Sequence, residues 1–156
     1  MKSLQTRRRR VLGLIAGTAL LPLVAKSGGA IIAADNDLPA LIKRLSGNAK
    51  LTEGGIRLTI PELADTGFSV PVSIDVESAM SGSDIVKSIH LIAPRNPRPL
   101  VASIALSPLM ARASWTTRIR LGGSQEVMAI AVMADGSARA GRADVVVSIS
   151  ACIDGT

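Results

Sequence analysis

The sequence predicts a mainly β protein: an immunoglobulin-like β-sandwich of about seven strands with a short N-terminal helix. Apolar and polar residues alternate in seven short segments, which is the pattern of strands that bury one face. Turn signals rich in Gly, Pro, Asp and Ser separate these segments. The chain has one Phe, one Trp and no Tyr, so aliphatic side chains must build the core.

A short helix is predicted between Asp35 and Gly47. Four apolar residues recur at helical spacing and share one face: Leu38, Leu41, Ile42 and Leu45. Asp37 is suited to cap the first turn, which contains Pro39, and Gly47 is suited to end the last turn.

The period of the apolar residues then changes from helical to two. The predicted strands are residues 56–60, 70–77, 86–92, 100–106, 115–121, 127–133 and 144–150. Gly122 and Gly123 predict a turn between two of them rather than a phosphate-binding loop, because no helical pattern or Lys follows. The 94–99 segment, with three prolines, predicts a rigid loop because proline fixes φ.

Residues 1–34 predict an export signal. Four arginines at 7–10 precede an uncharged apolar run at 11–25, and small residues follow. The run is short and rich in Gly, Ala and Pro, which argues against the alternative of an uncleaved membrane anchor. Because Arg8-Arg9-Arg10-Val11-Leu12 is typical of the twin-arginine motif, we expect a periplasmic protein exported by that pathway.

The net charge of +6 belongs to the predicted signal. Six basic residues and no acidic residue precede Asp35, so the remainder of the chain has 12 of each sign. That remainder, of about 120 residues, has the usual size of one domain. Binding to nucleic acid or anionic membranes needs clustered basic residues. We therefore expect no nucleic-acid partner, and no membrane association once the signal is removed.

Cys152 is the only cysteine. A lone thiol is a core residue, an intermolecular bridge or a reactive group. It follows the last predicted strand by two residues, near a terminus, where burial is weakest. These observations favour a thiol presented to other proteins on a 151–156 tail.

Several segments of the 35–150 domain resemble, in order and spacing, the SoxY family of the bacterial thiosulfate-oxidising Sox system. The similar stretches are residues 60–64, 70–72, 89–93, 96–99, 117–121, 124–125 and 134–137. The resemblance implies a sulfur carrier rather than an enzyme, without cofactor or metal, that forms a heterodimer with a SoxZ-like subunit and visits other Sox enzymes transiently.

In this family a cysteine near the C-terminus, on a flexible glycine-rich arm, carries the sulfur of thiosulfate. By position, Cys152 is the residue of covalent sulfur attachment. The family tail is Gly-Gly-Cys-Gly-Gly, whereas this chain has Ser150-Ala151 before the cysteine and Ile153-Asp154 after it. The alternative function is a non-catalytic immunoglobulin-like binding or structural module, including a diverged SoxY paralogue that has lost sulfur loading.

The remaining polar residues favour structural roles. His90, the only histidine, lies in a predicted half-buried strand, and one His with one Cys is too few for a zinc site. Asp75 and Glu77 share one face of a strand and predict a solvated edge. Arg118 and Arg120 alternate with an apolar residue and so point to one face, towards solvent or, alternatively, towards a partner or an anion.

Overall fold

A computed structural model describes residues 37–150, which form one helix and two packed β-sheets. Within this range, helix α1 (Leu38–Leu45) is followed by nine strands. They are β1 (Leu51–Glu53), β2 (Ile56–Thr59), β3 (Leu63–Thr66), β4 (Val70–Val76), β5 (Val86–Ile92), β6 (Leu100–Ala105), β7 (Ala113–Ile119), β8 (Gln125–Met133) and β9 (Ala138–Ile149). The predicted immunoglobulin-like sandwich with a short N-terminal helix is confirmed.

The two sheets differ in size and in the direction of their strands. The larger sheet has the order β1-β9-β8-β5-β6, with β3 also paired to β9, and the smaller sheet has the order β2-β4-β7. Strands pair antiparallel except β1 and β3, which both run parallel to β9. Strand β6 ends one sheet and β7 ends the other, so each has one edge without a strand partner among the described residues.

Helix α1 covers the outer face of the larger sheet. Asp37 caps it by accepting a hydrogen bond from the backbone N of Ala40 at 3.3 Å. Leu41 is 2% exposed, and the apolar face packs near Met128 and Ile130 of β8. The helix is shorter than predicted at its end because Ser46 is its C-cap and Gly47 takes a φ of +65°.

The main core lies between the two sheets. Strand β4 shows the expected alternation, with Val70, Val72, Ile74 and Val76 buried. Strand β8 is buried on both faces, because the smaller sheet covers one and α1 covers the other. The predicted aliphatic core is confirmed: the buried side chains of this core are aliphatic or methionine, and Phe68 is 54% exposed.

The structure corrects the number and the bounds of the predicted strands. Strands β1 and β3 were not predicted, because three or four residues are too few to show a period and both are held by pairing with β9. Strand β9 begins at Ala138 rather than at residue 144. Its first half is rich in Ala, Arg and Gly, which have weak strand propensity, and β8 and β1 hold it from both sides. Strands β7 and β8 begin two residues early, and Glu77 follows the end of β4.

Gly141 in the middle of β9 allows the two sheets to approach. A β-carbon at this position would lie 2.8 Å from Cβ of Ile56 and 3.0 Å from its carbonyl oxygen. Gly is therefore needed here for contact with β2, rather than for a special backbone angle.

We predict that Gly141→Ala lowers the free energy of unfolding by about 1–3 kcal/mol, because the methyl group overlaps backbone as well as side-chain atoms of Ile56. Urea denaturation followed by circular dichroism measures the change. Ser148→Ala, at an exposed position of the same strand, is the control. A more stable Gly141→Ala variant would contradict the prediction, since Ala in an open site stabilises by restricting the unfolded chain.

Candidate functional site

Cys152 and the rest of the 151–156 tail lie outside the described residues, as does the predicted 1–34 signal. Sulfur attachment at Cys152, the export signal and the tail boundary therefore stay predictions. The structure describes the strand that leads to the cysteine as far as Ser150, together with the loops around that strand end.

The end of β9 is held from two sides. Ile149 is in register with Thr66 of β3, and the backbone N of Gly67 donates to the carbonyl of Ile149 at 2.7 Å. The backbone N of Val147 donates to Ser124 Oγ at 2.8 Å. The backbone is thus fixed in the sheet up to three residues before Cys152.

Two buried amides lock the neighbouring loops together. Asn96 and Gln125 are each 8% exposed, and Asn96 Oδ1 accepts from Gln125 Nε2 at 3.1 Å and from the backbone N of Gly122 at 2.7 Å. Asn96 Nδ2 donates to the carbonyl of Arg120 at 2.8 Å, and Gln125 Oε1 accepts from the backbone N of Arg95 at 2.9 Å. Because every partner is buried or backbone, this network fixes the 94–99 loop against the turn after β7.

The same turn touches the end of β9. A β-carbon at Gly123 would lie 3.5 Å from Ser150 Oγ, and Ser124 holds Val147 as described above. The end of β9, the 122–124 turn and the 94–99 loop therefore form one end of the sandwich, which we call the tail end.

Three arginines line two adjoining cavities at the tail end, between the free edges of β6 and β7. The larger cavity, of about 430 Å³, is lined by Asn96, Arg98, Leu100, Val101, Arg118, Ile119 and Arg120. The second, of about 340 Å³, is lined by Asn96, Pro97, Arg98 and Arg120. The structure confirms that Arg118 and Arg120 share a face and brings Arg98 to them, which the sequence did not indicate.

His90 lies on the outer face of the larger sheet, and both of its ring nitrogens have hydrogen-bond partners. Its Nε2 lies 3.0 Å from Ser88 Oγ and its Nδ1 lies 2.7 Å from Ser103 Oγ. Burial lowers the pKa of His90 below its ordinary value of 6.5, so the neutral ring is favoured. This arrangement supports the structural role predicted for it.

The predicted acidic pair lies at the opposite end of β7 from the tail end. Asp75 and Glu77 line a cavity of about 310 Å³ together with Arg57 and Arg112. The carboxylates thus share their cavity with guanidinium groups, which does not resemble an acid–base pair. Among residues 37–150, three or more His, Cys, Asp or Glu side chains nowhere come together as a metal site would require. In the same range, no helix is long and apolar enough to cross a bilayer.

A family model described as "Sulfur oxidation protein SoxY" matches residues 42–152, which run from within α1 to the cysteine. The chain belongs to the SoxY family. The predicted resemblance is therefore confirmed, and the family match includes the buried amides, the arginine-lined cavities and Cys152. No curated protein matches the chain.

Solved structures show the same fold. The sulfur carrier protein SoxY from Chlorobium limicola f thiosulfatophilum is 24% identical, with 72% of this chain and 96% of that chain covered and a TM-score of 0.61. A superoxide reductase (neelaredoxin) from Ignicoccus hospitalis is 18% identical over 60% of this chain and 80% of its own, with a TM-score of 0.52. The sandwich thus also occurs in an oxidoreductase, so the SoxY assignment rests on the family match and not on the fold.

We predict that Asn96→Ala lowers the free energy of unfolding by about 2 kcal/mol, because the backbone N of Gly122 and the amide of Gln125 lose a buried acceptor. Thermal unfolding measures the loss. Asn48→Gly is the control, since Asn48 has a φ of +66° that Gly adopts freely. Equal stability of the Asn96→Ala variant and the parent would show that the network does not hold the tail end.

We predict that His90 makes stability depend on pH near neutrality. Because the folded-state pKa is lowered, the unfolded chain binds a proton more readily, so the stabilisation is complete above pH 6.5 and is lost as the pH falls through the folded pKa. Urea midpoints at about pH 7.5 and about pH 5.5 should differ more for the parent than for His90→Gln. An identical pH dependence of the two proteins would contradict this assignment, because the chain has one histidine.

Proposed function

We propose that this SoxY-family chain is a sulfur carrier of thiosulfate oxidation that holds sulfur intermediates covalently on Cys152. The observation that carries the proposal is the family match, which reaches to Cys152 in a chain with one cysteine. The protein does not itself catalyse the oxidation; partner Sox enzymes act on the bound sulfur. A SoxZ-like subunit completes the heterodimer, and the twin-arginine signal delivers the folded protein to the periplasm.

The chemistry requires a thiol that forms and breaks S–S bonds. In loading, the Cys152 thiolate and the terminal sulfur of thiosulfate form one S–S bond, and two electrons pass to an electron acceptor in a partner enzyme. The product is a cysteine S-thiosulfonate, Cys–S–S–SO₃⁻. Hydrolysis of the S–SO₃⁻ bond by a second partner releases sulfate and leaves a persulfide on the carrier. Among the side chains, a cysteine can undergo this exchange and methionine cannot.

The geometry of the tail end suits a carrier with a fixed base. Strand β9 is held in the larger sheet up to Ile149 by β3 and by the contact with Ser124. Two residues beyond Ser150 extend at most about 7 Å, which limits how far Cys152 can reach from the tail end. In this proposal the sandwich provides the base of the tail, and the chemistry is left to the enzymes that meet the sulfur.

A second function, a binding or structural module that has lost sulfur loading, is favoured by one observation. The family's glycine pairs around the cysteine are replaced here, and Ile153 and Asp154 follow Cys152. A β-branched residue restricts the backbone, and a carboxylate repels the thiosulfate dianion.

We predict that the purified protein, incubated with thiosulfate, its SoxZ-like subunit and the thiosulfate-oxidising partner enzyme, gains one thiosulfonate group. Intact-mass spectrometry and peptide mapping should place the adduct on Cys152, and a thiol reductant should remove it. Cys152→Ser is the matched control and should stay unmodified. An unmodified thiol, or only a disulfide between two copies, would refute sulfur carriage and favour the second function.

A further inference from the structure

We propose that the two arginine-lined cavities at the tail end are an oxyanion-binding site, which receives the sulfonate group of the adduct on Cys152. The ligand class, an oxyanion, follows from the guanidinium groups that line the cavities. The identification of its source as the Cys152 adduct rests on the proposed function.

The charge of the site is unbalanced. Arg98, Arg118 and Arg120 line the larger cavity, and no carboxylate lines either cavity. Within residues 37–150 no ion pair involves these three arginines, whereas Arg139 and Arg142 are paired with carboxylates. The cavity at the other end of β7 differs, because Arg57 and Arg112 face Asp75 and Glu77. Three guanidinium groups without a counter-charge favour an anion between them.

Neighbouring residues hold the backbone or the side chain of each arginine in place. Asn96 lines both cavities and holds the carbonyl of Arg120, which sets the backbone of that arginine. Arg118 Nε donates to Ser69 Oγ at 2.9 Å, which orients its guanidinium group. Arg98 lies between two prolines, whose fixed φ limits the motion of the loop. A site ordered in advance loses less entropy when it binds a ligand.

The tail end brings the cavities near the sulfur. Ser150 packs at Gly123, and Gly122 donates to Asn96, which lines both cavities. From Ser150, two extended residues and an S-thiosulfonate side chain reach on the order of 10 Å. Ser150 and the cavities thus lie at the same end of the sandwich, which is the arrangement that an adduct on Cys152 needs in order to meet Arg98 or Arg120.

Arginine suits this ligand better than lysine does. The planar guanidinium donates two parallel hydrogen bonds, and the oxygens of a sulfonate are spaced as those of a phosphate are. The loaded carrier has a sulfonate and the reduced carrier has none, so the site would bind the tail of the loaded form only. A partner enzyme would compete with the arginines for the oxyanion.

The first experiment tests the site without the cysteine. Thiosulfate and sulfate are titrated into the Cys152→Ser protein, and NMR signals of the arginine Nε–H groups are followed. We expect saturable shifts of Arg98, Arg118 and Arg120 and unchanged signals of Arg57 and Arg112. Equal shifts of all five arginine signals, or no shift of any of them, would refute the proposed site. Because Cys152 is absent, this result does not depend on sulfur carriage.

The second experiment tests whether the site serves Cys152. Tetrathionate loads a thiolate without a partner enzyme: the thiolate attacks a central sulfur, one S–S bond forms, one breaks, and thiosulfate leaves. At low ionic strength we expect Arg98→Gln/Arg120→Gln to load about tenfold more slowly than the parent. The matched control, Arg57→Gln/Arg112→Gln, has the same net charge and should load at the parental rate.

Two further arms make the outcomes decisive. A neutral dipyridyl disulfide should react with Cys152 at the same rate in all variants. If its reaction rate fell together with the tetrathionate rate, the arginines would alter the thiol rather than bind the anion, and the proposal would be refuted. The Arg98→Lys/Arg120→Lys variant keeps the charge and should recover part of the tetrathionate loading rate. If this variant folds but loads as slowly as the glutamine variant, the result counts against the site. Normal tetrathionate loading in every variant would refute the site's role for Cys152 while leaving sulfur carriage intact.

Discussion

The pairing of β9 along both of its edges is the constraint on which the rest of the structure depends. Residues 138–145 of β9 pair with β8 on one side, and β1 and then β3 pair with β9 on the other. The short strands β1 and β3 therefore do not form without β9, and Gly141 of the same strand receives Ile56 of the smaller sheet. One strand thus joins both sheets and also carries the chain to the cysteine.

The structure fixes the base of the tail. The pairing of β9 reaches Ile149, and Ser150 is the last residue before the 151–156 tail. The buried amides Asn96 and Gln125 also contribute to this base, because they fix the loops around the strand end with hydrogen bonds inside the domain. The proposed carrier function needs such a rigid base, because the base gives the attached sulfur a defined starting position.

Local periodicity was enough to predict the parts of the fold that it determines. The apolar face of α1, the alternation in β4 and the shared face of Arg118 and Arg120 were all readable from the sequence. Strands β1 and β3 were not, because three or four residues contain too few repeats of a period of two, and both strands are formed by contacts with residues more than 80 positions away. For the same reason, the bond between Asn96 and Gln125 and the approach of Arg98 to Arg120 needed the folded chain. Cys152 was proposed from its position and its uniqueness, and the structure adds the surroundings of Ser150, where the tail begins.

The fold alone does not define the function, because a superoxide reductase shares the sandwich at 18% identity. In the proposed function, the set of groups around the end of the final strand makes the difference. In this chain that set has two opposing electrostatic parts. Asp154 follows the cysteine where the family has glycine and repels an anionic substrate, whereas three arginines without carboxylate partners attract it at the tail end. All three arginines are exposed, so salt screens their attraction for an anion as well as the repulsion by a carboxylate on the tail, and both effects are greatest at low ionic strength. In this proposal, sulfur carriage on the altered tail depends on the arginines outweighing Asp154.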